Sequence, residues 1–150
     1  MEISIGVIGF GRMAKAIILP LFERGEYKPE HVFGIVGSTS SIKSSLSCLP
    51  QGVRVVSSED VLSREVWSAP IKLLAVKPQQ FSKVKESVST FQPNDKFPKP
   101  LLVSVLAGIT LKSLQKAFPM HTCVRVVPNT PALIGEGLTG LAWGDEITSD

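Results

Sequence analysis

No apolar stretch in this sequence approaches the roughly 18 to 20 residues that a membrane-spanning helix requires. The longest candidate, Ala16-Ile17-Ile18-Leu19, stops at Pro20. The opening Met1-Glu2-Ile3-Ser4-Ile5 lacks a basic segment followed by an apolar core and a cleavage site, so it reads as a strand and not as a secretory signal. Lys and Arg are scattered without a run of five, and the net charge is only +3. That distribution argues against a nucleic-acid or membrane partner. Only two cysteines occur, Cys48 and Cys123, and without an export signal they are expected to be free thiols in a reducing cytoplasm. His31 and His121 sit beside strand starts and read as surface residues. With two His and two Cys at no ligand spacing, no metal site is expected. Cys123 and Arg125 read as structural or solvent-facing, not catalytic.

What is present is ordinary globular composition, 43% apolar and 19% charged. A chain of 150 residues suffices for one compact domain, burying roughly 70% of its unfolded surface. Short apolar runs at Ile3–Ile8, Val32–Gly37, Val53–Val56, Ile71–Val76, Leu101–Val105 and Cys123–Val127 read as strands. Between them, Ala14, Ile17, Ile18, Leu21 and Phe22 recur at helical spacing, with Gly25 as the stop. Phe81, Val84, Lys85 and Val88 fit a second helix, and Thr110 looks like the N-cap of a third over Leu111–Phe118. Ile42–Leu49 is a weaker, Ser-rich helix, and 92–100, with three prolines, is a loop. There are no internal repeats and no internal domain boundary. Apolar strands alternating with helices indicate an α/β, Rossmann-type doubly wound fold, with a mainly parallel sheet and helices on both faces.

Gly9-Phe10-Gly11-Arg12-Met13-Ala14 matches G-x-G-x-x-G/A between a strand and a helix. Gly9 permits the tight turn, Gly11 removes the Cβ that would block a pyrophosphate, and Ala14 lets the helix pack close to the strand. The anion then meets unpaired N–H groups at the positive end of the helix dipole. The bland alternative is a tight turn in a domain that binds no nucleotide. The strand before, the helix after and the second strand completing the unit favour the nucleotide.

The end of the second strand lacks the Asp or Glu that usually accepts from the ribose 2′-OH of NAD. It reads Gly37-Ser38-Thr39-Ser40-Ser41, with Lys43 nearby. Two readings stand, a pocket for the 2′-phosphate of NADP or a solvated Ser-rich turn indifferent to it. The missing carboxylate favours NADP and leaves NAD possible.

Four segments then occur in order: Ile8 to Ala14, Leu74-Ala75-Val76-Lys77-Pro78-Gln79, Ser104-Val105-Leu106-Ala107-Gly108-Ile109, and Arg125-Val126-Val127-Pro128-Asn129-Thr130-Pro131-Ala132. Together with Gly135 and Gly137, this set resembles the amino-terminal half of pyrroline-5-carboxylate reductase, across nearly the whole chain. The resemblance implies NAD(P)H-dependent reduction of 1-pyrroline-5-carboxylate to L-proline, the last step of proline biosynthesis. It implies that Gly9, Phe10, Gly11, Arg12 and Met13 contact the pyrophosphate and that Ser38, Thr39 and Ser40 contact the adenosine ribose side. Ala75, Val76, Lys77 and Pro78 would line the cofactor, while Ala107, Gly108, Asn129, Thr130 and Pro131 would lie near the nicotinamide. Each has a plainer reading: Lys77 as the polar end of a buried strand before Pro78, Gly108 as a turn residue, and Pro128 to Pro131 as a rigid loop.

Two departures matter. Where many members carry an Asn near the adenosine ribose, this chain reads Ser57-Ser58-Glu59-Asp60. The family also has a second, helical domain that supplies dimerisation and most of the imino-acid pocket, and this chain stops about where it would begin. The resemblance therefore implies a homo-oligomer for the full-length enzyme, and little or no turnover by this chain alone. Other readings are another NADP-dependent reductase of this architecture, or a stand-alone NADP-binding sensor module.

Overall fold

The computed structural model describes residues 3–88, 99–129, 131 and 134–145. Seven strands form one sheet: β1 (Ile5–Ile8), β2 (Val32–Val36), β3 (Arg54–Ser57), β4 (Ile71–Leu74), β5 (Leu101–Ser104), β6 (Thr122–Pro128) and β7 (Thr139–Trp143). Their spatial order is β3-β2-β1-β4-β5-β6-β7. The first six are parallel, and only β7 runs antiparallel, against β6. This is the expected doubly wound architecture, with its strand order reversing beside β1, where such sheets open a ligand crevice at their carboxyl ends.

The helices are α1 (Arg12–Glu23), α2 (Ser40–Leu46), α3 (Ser63–Ser68), α4 (Phe81–Val88) and α5 (Leu111–Ala117). They divide between two cores. On one face α1 and α2 pack over β1 to β3 through Ala14, Ile18, Val7, Val32 and Val55. On the other, α3, α4 and α5 enclose Val66, Trp67, Leu74, Leu102, Leu114 and Phe118. Burial on both faces explains why the central strands read as unbroken apolar runs.

The ends of α1 are as expected. Its C-terminus closes on Gly25 at φ +69°, with Gly25 N donating to Phe22 O and Glu26 N to Leu21 O, a Schellman arrangement. Thr110 caps α5 by accepting from Ser113 N at 3.1 Å. Several bounds shift. α2 begins at Ser40 and ends at Leu46 rather than spanning 42–49. β4 ends at Leu74, after which Ala75 N donates to Ile8 O at 2.8 Å, and Ala75 and Val76 turn across the end of β1. The loop expected at 92–100 lies mostly outside the described residues. Among the strands and α-helices, α3 and β7 were not anticipated.

One expectation about a polar residue needs correction, and a second polar residue is buried that the sequence did not single out. His121 is not a surface residue: it is 8% exposed and edge-on to Phe118, with ring centroids 5.9 Å apart. Lys72, in the middle of β4, is only 1% exposed and donates from Nζ to Ala69 O. Burial pushes Lys72 down to about 8. His121 falls to about 4, first from burial and then from the Lys72 charge. Both residues lie at the amino end of the sheet, away from the crevice. Cys48 is exposed and Cys123 is buried, and no disulfide joins them.

Candidate functional site

The carboxyl ends of β1, β2 and β4 open onto a crevice of about 1030 Å³. Its floor is the turn from β1 into α1. Gly9 has φ +89°, and a Cβ there would sit 2.8 Å from both Ala75 O and Val76 N. Only glycine fits this position, on conformation and on space alike. Gly11 is different. It has an extended backbone at φ −82°, and a Cβ would meet nothing within 4 Å. That open space lies directly before α1, whose N-terminus has no side-chain cap.

The first helical bond of α1 is Lys15 N to Gly11 O, at 3.1 Å. The N–H groups of Arg12, Met13 and Ala14 therefore have no partner within the helix. An uncapped helix N-terminus facing open space suits an anion such as a dinucleotide pyrophosphate. Phe10 also lines the crevice. Its ring turns inward and is 4% exposed, lying where a Cβ on Gly34 would come within 2.3 Å of Cδ2. Of the sequence-predicted residues, Gly9, Phe10, Gly11, Ser38, Ala75, Val76 and Lys77 come together here.

At the end of β2, Ser38 Oγ lies 3.0 Å from Ser40 Oγ and 2.9 Å from Ser41 Oγ. Ser38 and Ser41 line the crevice along with Ser44, Ser45 and Ser58. Thr39 and Lys43 do not; they border a separate, shallow depression with Ile42, Leu46 and Ser47. Lys43 is thus not a wall of the crevice, contrary to the sequence reading. Ser40 and Pro78 do not line it either.

The nicotinamide-side set is more dispersed. Ala107 and Gly108 are exposed just beyond β5, with Gly108 at φ +74°. Asn129 Oδ1 accepts from Leu138 N at 3.0 Å and so fastens the loop leading into β7. Pro131 is exposed, and its carbonyl accepts from Glu136 N at 3.1 Å. Thr130 lies outside the described residues. These residues share the carboxyl side of the sheet but do not border the crevice.

Three crevice residues carry side chains to which the sequence reading gave no role, although it noted the segment containing Glu59 near the adenosine ribose. Glu59 arrives from β3: Val36 pairs with Ser57, and Ser58 N donates to Val36 O at 2.8 Å, so the chain after β3 brings Glu59 into the crevice that Ser38 also lines. A carboxylate is therefore present where β2 itself supplies none. Gln80 accepts from Lys77 N through Oε1 at 3.3 Å, and its Nε2 lies 3.7 Å from where a Cβ on Gly37 would be. It lies between the β4 turn and the end of β2. Lys83 follows one turn later on α4 and also lines the crevice. Among the described residues no three His, Cys, Asp or Glu side chains gather into a cluster able to hold a metal ion. No described helix is long and apolar enough to cross a membrane.

This geometry has relatives. The family described as NADP oxidoreductase, coenzyme F420-dependent, matches residues 4–108. A pyrroline-5-carboxylate reductase from Synechocystis is 36% identical over 150 residues, covering 100% of this chain and 52% of its own length. The enzyme of the same name from Haemophilus influenzae is 39% identical over 138 residues, covering 91% of this chain and 47% of itself. The solved structure of a pyrroline-5-carboxylate reductase from Coxiella burnetii superposes with a TM-score of 0.81 at 27% identity, covering 99% of this chain and 52% of that one. The chain spans about half the length of the curated relatives it matches.

Proposed function

The chain belongs to the family of coenzyme F420-dependent NADP oxidoreductases, and from that premise we propose that it is the cofactor-binding half of a pyrroline-5-carboxylate reductase. The observation that carries the proposal is the uncapped α1 N-terminus facing open space at Gly11, in one crevice with Ser38 and the Ala75–Lys77 turn. The relatives named above match all or nearly all of this chain, and that similarity supports this reading over other reductases of the same architecture.

The cofactor is a nicotinamide dinucleotide, with NADP favoured over NAD. Ser38 and Ser41 offer hydroxyl donors to a 2′-phosphate, although Glu59 in the same crevice weighs the other way. Bound there, the reduced nicotinamide would supply the hydride that converts an imine to an amine. The protein's own contribution is binding and orientation. The α1 N–H groups hold the pyrophosphate, and Gln80 braces the Lys77 turn by accepting from Lys77 N. Ala75 and Val76 carry the chain over the end of β1 toward β2. The imine, 1-pyrroline-5-carboxylate, is electrophilic once protonated, so no nucleophile–base pair is required. The grip on the substrate and the pairing of subunits would fall to the half that the relatives possess beyond this match.

The chain alone is therefore expected to bind cofactor without turning it over. Mixed with NADPH and 1-pyrroline-5-carboxylate, it should form no proline above the uncatalysed background by amino-acid analysis. Proline formation that scales with the concentration of this chain would contradict the division of labour.

A further inference from the structure

We propose that Lys83 of α4, reaching across the crevice, supplies the cation that receives the 2′-phosphate of an NADP-type cofactor. The inference rests on the cofactor reading above and names a residue that reading leaves unassigned. A phosphate monoester carries about −1.5 to −2 charges near neutral pH. Ser38 and Ser41 can donate hydrogen bonds to it but cannot neutralise it, and Glu59 in the same crevice adds a negative charge. The charge must come from elsewhere.

The cations near the crevice can be sorted by placement. Lys15 Nζ already donates to Ser44 O at 3.1 Å. Lys43 borders the separate depression and not the crevice. Lys77 sits on the turn beside Gly9, next to the pyrophosphate position. Arg64 lines the wall but is engaged in another interaction. Lys83 is the cation that lines the crevice on α4, with no hydrogen-bond or ion-pair partner among the described residues.

Its direction follows from helix geometry. Gln80, Lys83, Val84 and Ser87 are spaced three and four apart, so they share one face, and all four line the crevice. Gln80 lies against Gly37, the residue immediately before Ser38. Helical side chains lean toward the helix N-terminus. The long arm of Lys83 thus leans back toward Gln80 and the Ser38–Ser41 hydroxyls opposite.

The test is a calorimetric titration of the whole chain and its Lys83→Met variant with NADPH, NADH, 2′,5′-ADP and 5′-AMP. Removing a charge-assisted contact to phosphate should weaken NADPH and 2′,5′-ADP by about tenfold to a hundredfold. NADH and 5′-AMP should stay within about twofold. Lys83→Arg should keep most of the preference, Lys43→Met should change nothing, and the salt dependence of NADPH binding should flatten in Lys83→Met alone. If the parent prefers NADPH and Lys83→Met keeps that preference, Lys83 is not the phosphate residue, and the cofactor reading stands. Equal losses for all four ligands would also overturn the inference. If the folded parent binds none of them, the cofactor reading itself fails and takes the Lys83 assignment with it.

Discussion

Gly11→Val is expected to leave the domain as stable as its parent while weakening dinucleotide binding by at least about a hundredfold, the loss of two charge-assisted hydrogen bonds. The two outcomes separate because of where Gly11 lies. Its backbone is extended and open to any residue, and an added Cβ meets nothing within 4 Å. A valine there strains nothing in the free chain, and thermal unfolding should move by no more than an exposed substitution ordinarily moves it, about 0.5 kcal/mol. Its methyl groups instead fill the space through which a pyrophosphate must reach the α1 N–H groups. Gly9→Val cannot make this distinction, because its Cβ would overlap Ala75 O and Val76 N and unsettle the fold itself. Undiminished binding by Gly11→Val, measured by NADPH fluorescence, would place the pyrophosphate somewhere other than α1.

The second large effect concerns stability at the opposite end of the sheet. Lys72 is an ammonium in the core on β4, with one hydrogen-bond acceptor, Ala69 O. His121 stands nearby with its Nδ1 buried and unpartnered among the described residues. Both pKa values are lower folded than unfolded, so the unfolded chain holds more protons and stability rises with pH. For Lys72 the rise falls between about pH 8 and its ordinary 10.5. For His121 it falls between about pH 4 and its ordinary 6.5. Each shift corresponds to about 3 kcal/mol.

At pH 7 the Lys72 cost is present nearly in full, and the His121 cost is largely absent. Lys72→Met, which fills similar volume without the charge, should therefore stabilise the chain at pH 7 by about 1–4 kcal/mol. The gain should shrink toward pH 10, as the parent's lysine loses its proton. Urea unfolding at pH 5, 7 and 10 would show this trend. A destabilised Lys72→Met at pH 7 would mean that the ammonium is matched by interactions stronger than the one carbonyl it contacts.

The sequence disclosed most clearly those parts whose determinants are local or periodic. The central strands are buried on both faces, so their apolar runs stood out. The Gly9–Gly11 turn is a property of the backbone, visible as residue types at fixed spacing. β7 escaped notice because all five of its residues are exposed and its place is set by pairing with β6. α3 escaped because it has six residues, with Val66 and Trp67 buried side by side. It packs where it does because Gly6 has no Cβ: one there would lie 2.3 Å from Val66 O.

The crevice divides the same way. Ser38 could be found by counting along the chain from the glycine turn. Glu59 and Lys83 could not, since they belong to other elements and reach the site only through the β2–β3 register and the docking of α4. Examining the end of β2 for a carboxylate finds none, because the carboxylate is delivered by the neighbouring strand. His121 was misjudged for a related reason. Its place beside a strand start is plain in the sequence, but Phe118, which covers it, is fixed by the packing of α5.

Fluorescence titration of the purified 150-residue chain with NADPH and, in parallel, NADH tests the central claim most directly. Saturable binding of a nicotinamide dinucleotide, tighter for NADPH, is the predicted result. A folded sample that binds neither would contradict the assignment of the Gly9–Gly11 crevice as a cofactor site.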